Sequence, residues 1–441
     1  MENKSEIIAA IDIGTTKIVA IAGRKTETNR FEVVGFATTA SKGIRRGVVL
    51  NIDETVNSIR ISLNKILKDS GLRLNDVFVG IAGQHVKTSR NRCSINIKDE
   101  DSIIKVEHVE ALRELMKQSV EDPGEKLLDI IPQSYIVDNE TGIENPVAMN
   151  AKVLQGNFHI VMGQMSMVNN IKKCVTIAGL KVNSLILEPI ASAEAVLTPH
   201  EKKSGVAMID IGGGTTDLAV FINNHIIHTA VIPIGGYTIT NDIKNQLSIL
   251  EKQAEELKIQ YGSAIAEKNQ ENTIISLEGL KGREEKEFSL YELNDIIQAR
   301  MEEILHAAMF QIETSGIKDK LAGGIVITGG GALLTNLKQL ASYLTGNDIR
   351  IAYPTEYIEG AYSDIINKPQ FSTAIGLIMK GDAYNKLEIE KSIYQKINDE
   401  KKELEESSSD KKKKKKEGRQ NNGGKDSFKS ILARFFDEDE N

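Results

Sequence analysis

Residues 205–220, GVAMIDIGGGTTDLAV, join an apolar run to three consecutive glycines, two threonines and two aspartates. A tight hairpin is one use for such a stretch, because glycine takes up φ > 0 without steric cost. A two-residue turn needs only one or two glycines, however, not Gly212, Gly213 and Gly214 followed by the hydroxyls of Thr215 and Thr216. The second use is phosphate binding, with backbone N–H groups and hydroxyls cradling the oxygens and an aspartate holding a hydrated metal ion. A related stretch, AIDIGTTKIV, lies at residues 10–19. Both copies run an apolar strand into Ile-Asp-Ile-Gly, turn through Gly and Thr, and return as a second apolar strand. Two loops gripping a nucleotide from opposite sides would use Gly14, Thr15 and Thr16 on one side and Gly212 to Thr216 on the other. Asp12 and Asp210 would then orient Mg²⁺ through water, since Mg²⁺ keeps much of its hydration shell. Lys17 would bring positive charge to the phosphates, its alternative being a solvated lysine at a turn.

Two copies about 200 residues apart predict a duplicated α/β domain with a shared cleft. A third glycine cluster, GGIVITGGGALL at 323–334, predicts a strand, then Gly329, Gly330 and Gly331, then a helix from near Leu333. A helix N-terminus after glycines allows close approach of a nucleoside or phosphate. The remaining composition sets limits. At 441 residues with 40% hydrophobic content, the chain predicts two or more globular domains. A net charge of −7 argues against nucleic acid as a partner. Two cysteines, Cys93 and Cys174, fit a reducing compartment. The first apolar run is short and contains Asp12, and no stretch reaches the length of a membrane span, so a cytosolic body is expected.

The order IDIGTTK, EPIASAEAVL (188–197), IDIGGGTTD, ITGGGALL and STAIGL (372–377) resembles the five-part nucleotide signature of the actin, sugar-kinase and heat-shock-chaperone superfamily. That resemblance implies a two-lobed, ribonuclease H-like ATPase fold. It makes the segments from Glu188 and from Ser372 the two connecting helices at the hinge. It also sets Glu188 on the γ-phosphate side as the candidate catalytic group, helping to place water or metal. AEELKIQYG (254–262) resembles the bacterial actin segment in which Glu255 and Lys258 would flank the nucleoside, an exposed helix face being the alternative. Gly235 and Gly236 would close the nucleotide site from above.

Within the superfamily, VFVGIAGQHV, IPQSYIVD, GIENPVAM and LILEPIAS resemble the FtsA family of bacterial cell-division proteins, over roughly residues 5–380. This implies lobes at 5–83 with 165–200, and at 201–236 with 310–395. It implies an FtsA-type subdomain inserted at 84–164, serving polymer contacts, and a second insertion at 237–309 that docks FtsZ. Arg300, Lys281, Arg283 and Lys286 are the candidates for that contact. The polar stretch 396–425 predicts a disordered linker. Beyond it, at 426–437, Phe428, Ile431, Leu432, Phe435 and Phe436 recur at i, i+3, i+4, i+7 and i+8, one apolar stripe along a helix. A helix docked on its own domain is one use for it. The length of the linker favours a membrane anchor, with Lys411 to Lys416 drawn to anionic lipid. The acidic ending DEDEN departs from the more basic tails of the family.

The expected function is an ATP-binding, actin-like protein that polymerises on the cytoplasmic face of the inner membrane at the division site, tethers FtsZ and meets further division proteins. Any ATP hydrolysis would be slow. A scaffold of rod or pilus type is the alternative. A small-molecule kinase is less favoured, because no catalytic base for an acceptor hydroxyl is identifiable.

Overall fold

The computed structural model describes residues 6–98, 102–120, 122–277, 284–389 and 392. The chain divides between Asp382 and Ala383 into two units. In the second, residues 383–389 are helical.

The first unit opens with three antiparallel strands, β1 (Ile8–Ile13), β2 (Lys17–Lys25) and β3 (Phe31–Ala40). The small hairpin β4 (Ile44–Arg45) and β5 (Val48–Val49) turns through Arg46 at φ 50° and Gly47 at φ 73°. Both signs belong to the hairpin turns that glycine favours at the second position. Helix α1 (Ile52–Ser70) follows, capped by the Asn51 side chain at one end and by Gly71 in the left-handed region at the other. Strand β6 (Asp76–Ile81) then lies parallel to β1.

Here the chain leaves the sheet. Strand β7 (Val86–Asn96), helix α2 (Val106–Ser119) and strands β8 (Glu125–Val137), β9 (Glu140–Ile143) and β10 (Val153–Gln164) form a separate sheet in the order β7-β10-β8-β9. Its own core holds Leu112, Met116, Leu154, Phe158 and Ile160. Helix α3 (Met165–Ile177) and strand β11 (Lys181–Leu187) return to the first sheet, and α4 (Glu188–Val196) follows directly.

After α5 (Pro199–Ser204), the pattern repeats. Strands β12 (Val206–Ile211), β13 (Thr216–Ile222) and β14 (His225–Ile232) are antiparallel neighbours. A second insertion carries α6 (Gly236–Gln246), α7 (Glu251–Tyr261) and the hairpin β15 (Ile274–Leu277) and β16 (Lys286–Ser289). Helix α8 (Leu290–Ser315), strand β17 (Ile325–Thr328), helix α9 (Leu337–Thr345) and strand β18 (Ile349–Ile351) complete this lobe. The two sheets read β3-β2-β1-β6-β11 and β14-β13-β12-β17-β18, one plan used twice. Both carry apolar runs buried on two faces, as strands covered on both sides require. In β1, Ile8 and Ala10 face the layer between the sheets, while Ala9, Ile11 and Ile13 face α1 and α3.

The layer between the sheets is made of helices that cross over. Helix α4 follows a first-lobe strand yet packs on β12 and β13. After β18 the chain returns: β19 (Ile358–Glu359) pairs with β3, and the helix from Ser372 packs on the first lobe, with Ile378 near Gly23 and Gly381 against Phe78 and Ile8. The two helices touch at Ala191 and Gly376. The expected second lobe at 310–395 is therefore not continuous, since β19 joins the first-lobe sheet. The boundary at 309 also falls inside α8, which is one continuous helix.

Candidate functional site

The hairpins β1–β2 and β12–β13 face each other across a cavity of about 400 Å³. Their tips are in contact, because a Cβ on Gly213 would meet the Thr16 side chain and one on Gly214 the Thr15 side chain. Glycine is therefore required here by close approach, both residues lying outside the φ > 0 region. Thr15 Oγ1 accepts from the Gly47 amide at 3.2 Å, which ties the first hairpin to the β4–β5 turn.

The cavity floor is acidic. Asp12 and Asp210 end their strands buried, and Asp217, directly across the hairpin from Asp210, is buried beside them. Asp210 Oδ2 accepts from Ser192 Oγ at 2.6 Å and from Thr373 Oγ1 at 3.1 Å, one donor from each crossing helix. Glu188, the first residue of α4, reaches the same floor over Gly80, whose absent Cβ would sit 2.9 Å from Glu188 Oε1. Burial pushes all four carboxyls above their ordinary range, and mutual repulsion adds to it at Asp12, Glu188 and Asp217. Asp12 is raised to about 6, with Lys17 pulling the other way. Lys17 is itself lowered by burial, while Asp12 and Asp210 oppose that shift. Its ammonium also lies 5.3 Å from the centre of the Phe371 ring. Among the described residues Asp217 Oδ1 has no hydrogen-bond partner. A floor of several carboxyls with one orphaned oxygen suits a cation. Among the described residues no three His, Cys, Asp or Glu converge as direct ligands, so an ion here would retain water.

The rest of the wall comes from the second insertion and the third glycine loop. Lys258 Nζ donates to the Gly236 carbonyl at 3.0 Å, to Thr240 Oγ1 at 2.8 Å and to Glu255 Oε2 at 2.7 Å. Gly236, Glu255, Lys258, Gly329, Gly330 and Gly331 all line the cavity. Gly329, at φ 87°, lies against Asp210 and the Ile211 carbonyl, where a Cβ has no room.

Three expectations need correction. Thr216 and Gly235 do not line the cavity. Thr216 Oγ1 donates inward to the Ile234 carbonyl at 2.8 Å, and Gly235 packs on the carbonyls of Gly212 and Thr215. The first amides of α6 are already used, since Gly236 N donates to Gly212 O and Tyr237 N to Gly213 O. No helix starts near Leu333 either: Gly330–Leu333 is a 3₁₀ turn, and α9 begins at Leu337 after Asn336 in the left-handed region. Asp217, Gly47, Gly80, Ser192 and Thr373 are site residues beyond those expected. The strand register opposite Asp210 was the available signal for Asp217.

Family models match residues 207–376, described as cell division protein FtsA, and residues 83–162, described as the SHS2 domain inserted in FtsA. The cell division protein FtsA of Pseudomonas aeruginosa is 35% identical over 376 residues, 85% of this chain and 89% of that protein. The chain belongs to the FtsA family. FtsA of Bacillus subtilis is similar to it as well, at 34% identity over 85% of this chain and 83% of its own length. Among solved structures, the PilM–PilN type IV pilus biogenesis complex shares the fold, with a TM-score of 0.61 at 17% identity over 85% of this chain and 98% of that one. Fold class is thus actin-like α/β with an inserted SHS2 domain. As an FtsA, the protein has a role in cell division and division-machinery partners. Among the described residues no helix is long and apolar enough to cross a membrane.

Of the remaining FtsA expectations, Arg300 sits on α8 away from the cleft, in a two-pronged pair with Asp242 (2.6 and 3.2 Å) and beside Glu303. Lys286 Nζ donates to the carbonyls of Leu247 and Ser248. Lys281, Arg283, Lys411 to Lys416, Phe428, Ile431, Leu432, Phe435 and Phe436 lie outside the described residues.

Proposed function

We propose that the protein binds Mg-ATP in this cleft, polymerises on the cytoplasmic face of the membrane at the division site, and tethers FtsZ filaments there. The facing glycine–threonine hairpins over an acidic floor support the nucleotide part most directly. In this reading Gly14, Thr15, Gly212, Gly213, Gly214 and Thr215 hold the phosphates, with Lys17 adding positive charge. Asp12 and Asp210 hold Mg²⁺ through water, and the partnerless Asp217 oxygen is free to join them. Glu255 and Lys258 flank the nucleoside. Glu188 is the candidate for orienting water in a slow hydrolysis. The bound metal ion would supply neutralising charge for the phosphates. Calorimetry with Mg-ATP should show Asp210→Ala weakening binding at least about tenfold, the scale of one lost charge-assisted contact. Gly213→Val should weaken it further by driving the hairpin tips apart. Wild-type affinity in both variants would remove the cleft assignment.

The membrane part rests on the stripe of Phe428, Ile431, Leu432, Phe435 and Phe436. A segment this short is marginal as a helix in water and gains from an interface that buries its apolar side chains. Replacing Phe435 and Phe436 by Glu should abolish co-flotation with anionic liposomes and leave ATP affinity unchanged. Co-flotation of that variant at wild-type levels would make the segment a partner-binding helix instead. FtsZ docking is assigned to the second insertion, by way of α6, α7 and the first turns of α8. Loss of FtsZ recruitment to liposomes on altering those surfaces, with liposome binding kept, is the outcome that supports it.

A further inference from the structure

The inserted SHS2 domain meets the second lobe through one face of its sheet, where Thr88 of β7, Gln133 of β8 and His159 of β10 lie against β14. β7 is the outer strand of the one and β14 the outer strand of the other. Side chains of the insert satisfy the exposed edge of β14: Thr88 Oγ1 donates to the Thr229 carbonyl at 2.9 Å, and Gln133 Nε2 to the Ile226 carbonyl. His159 Nε2 lies 2.9 Å from Thr229 Oγ1. Beside this seam is a groove of about 630 Å³ whose walls come from both modules.

Its charges are unbalanced. Arg90 and Arg92 on β7, Lys203 on α5 and His225 on β14 line the groove, against a single acid, Glu144. Glu144 stands 69% exposed and 4.0 Å from His225. Arg92 Nε donates to Asn157 Oδ1 at 2.7 Å, and Asn157 Nδ2 donates to Ser134 Oγ at 2.9 Å. The guanidinium is thereby held in place, with neither Nη group hydrogen-bonded among the described residues. Lys203 is set by the β13–β14 turn, whose Asn223 amide donates to the Lys203 carbonyl at 3.1 Å. Arg90 and Lys203 have no ion-pair partner among the described residues, whereas neighbouring Lys87, Lys202 and Arg350 are paired with Glu125, Glu194 and Glu201. An unmatched cationic groove stands out on a chain of net charge −7.

We propose that this groove binds an acidic peptide segment, an Asp/Glu-rich stretch of a partner protein. Arginine forks match carboxylates in two-pronged geometry, and the Asn91 amide in the lining suits an extended backbone. Among the described residues that line the groove none is Phe, Tyr or Trp, the side chains that stack nucleic-acid bases. Because the cations come from both modules, a bound segment bridges the insert to the second lobe.

The test is fluorescence anisotropy of a labelled octaglutamate peptide with the full chain at about 0.15 M salt, where exposed charges are substantially screened. The triple variant Arg90→Glu, Arg92→Glu, Lys203→Glu should bind at least about tenfold more weakly, and Glu144→Gln roughly twofold more tightly. Lys203→Glu alone, at about threefold weaker, gives the same answer should the triple variant fold poorly. Replacing Lys411 to Lys416 by Gln should leave most of the binding. Peptide affinity within about twofold of wild type in the triple variant overturns the proposal, as does loss of binding through the lysine run alone. Displacement by an oligothymidylate of equal charge at lower concentration than unlabelled peptide makes the groove a nucleic-acid site and also overturns it.

Discussion

Substituting Gly376 by leucine should leave almost no folded protein. A Cβ at this position falls on the carbonyl oxygen of Ala191, where the two crossing helices touch, and backbone on each side cannot yield as a flexible side chain could. The loss should exceed about 4 kcal/mol, a range reached by overpacking at such a contact. Gly376→Ala isolates the cause. Alanine is favoured over glycine in a helix interior by about 1 kcal/mol, so propensity alone predicts a gain. Urea unfolding that finds Gly376→Ala more stable than wild type would show that the helices can separate without cost, and the crossing would lose its role as the joint.

Asp217→Asn should stabilise the nucleotide-free protein at pH 8 and do little at pH 4. Asp12, Asp210, Asp217 and Glu188 all have folded-state values raised above ordinary carboxylates, by burial first. A raised folded value contributes stability that is complete below the unfolded value and disappears as pH climbs through the folded one. For Asp12 that window runs from the ordinary 3.8 to about 6, and for Asp217 it likewise opens upward from the ordinary value, raised by burial first and then by Asp210 and Asp12. The variant keeps the shape of the side chain and removes its titration. Its advantage should therefore grow with pH to about 1–3 kcal/mol, the cost of leaving one buried polar or charged group unmatched. Urea midpoints at the two pH values measure it, and an equal difference at both would contradict the assignment. The same variant should bind Mg-ATP more weakly, because the oxygen without a partner is the one it alters.

Local repetition made the catalytic-looking half of the site legible. Ile-Asp-Ile-Gly occurs twice, and each copy is a hairpin whose aspartate ends a buried strand. Glu188 and Ser372 begin helices, and Glu255 and Lys258 share one turn of α7 on the cavity wall. What the sequence could not display was set by distant contacts. Gly235 reads like a ligand-approach glycine, yet the carbonyls of another hairpin crowd it. Gly331 and Leu333 read like a helix start, but Gly330–Leu333 is a 3₁₀ turn packed on Ile211, and the helix begins at Leu337. The return of residues 358–382 to the first lobe depends on a pairing between β19 and β3, more than 320 residues apart, for which no periodicity exists. The cationic groove joins side chains from three separate segments and carries no motif at all.

The exchange of helices between lobes has a consequence for synthesis. Five of the six strands of the first sheet, β1, β2, β3, β6 and β11, have been made once Leu187 is in place, yet one face waits for the helix that begins at Ser372. At translation speeds of 5–20 residues per second, the roughly 185 residues between Leu187 and Ser372 take about 9–37 s to emerge. During that interval Ile8 and Phe78 lack the contact that the helix around Gly381 supplies in the finished fold. The nascent chain is thus a natural client for a holding chaperone, and either half produced alone should aggregate where the two halves produced together can rescue each other.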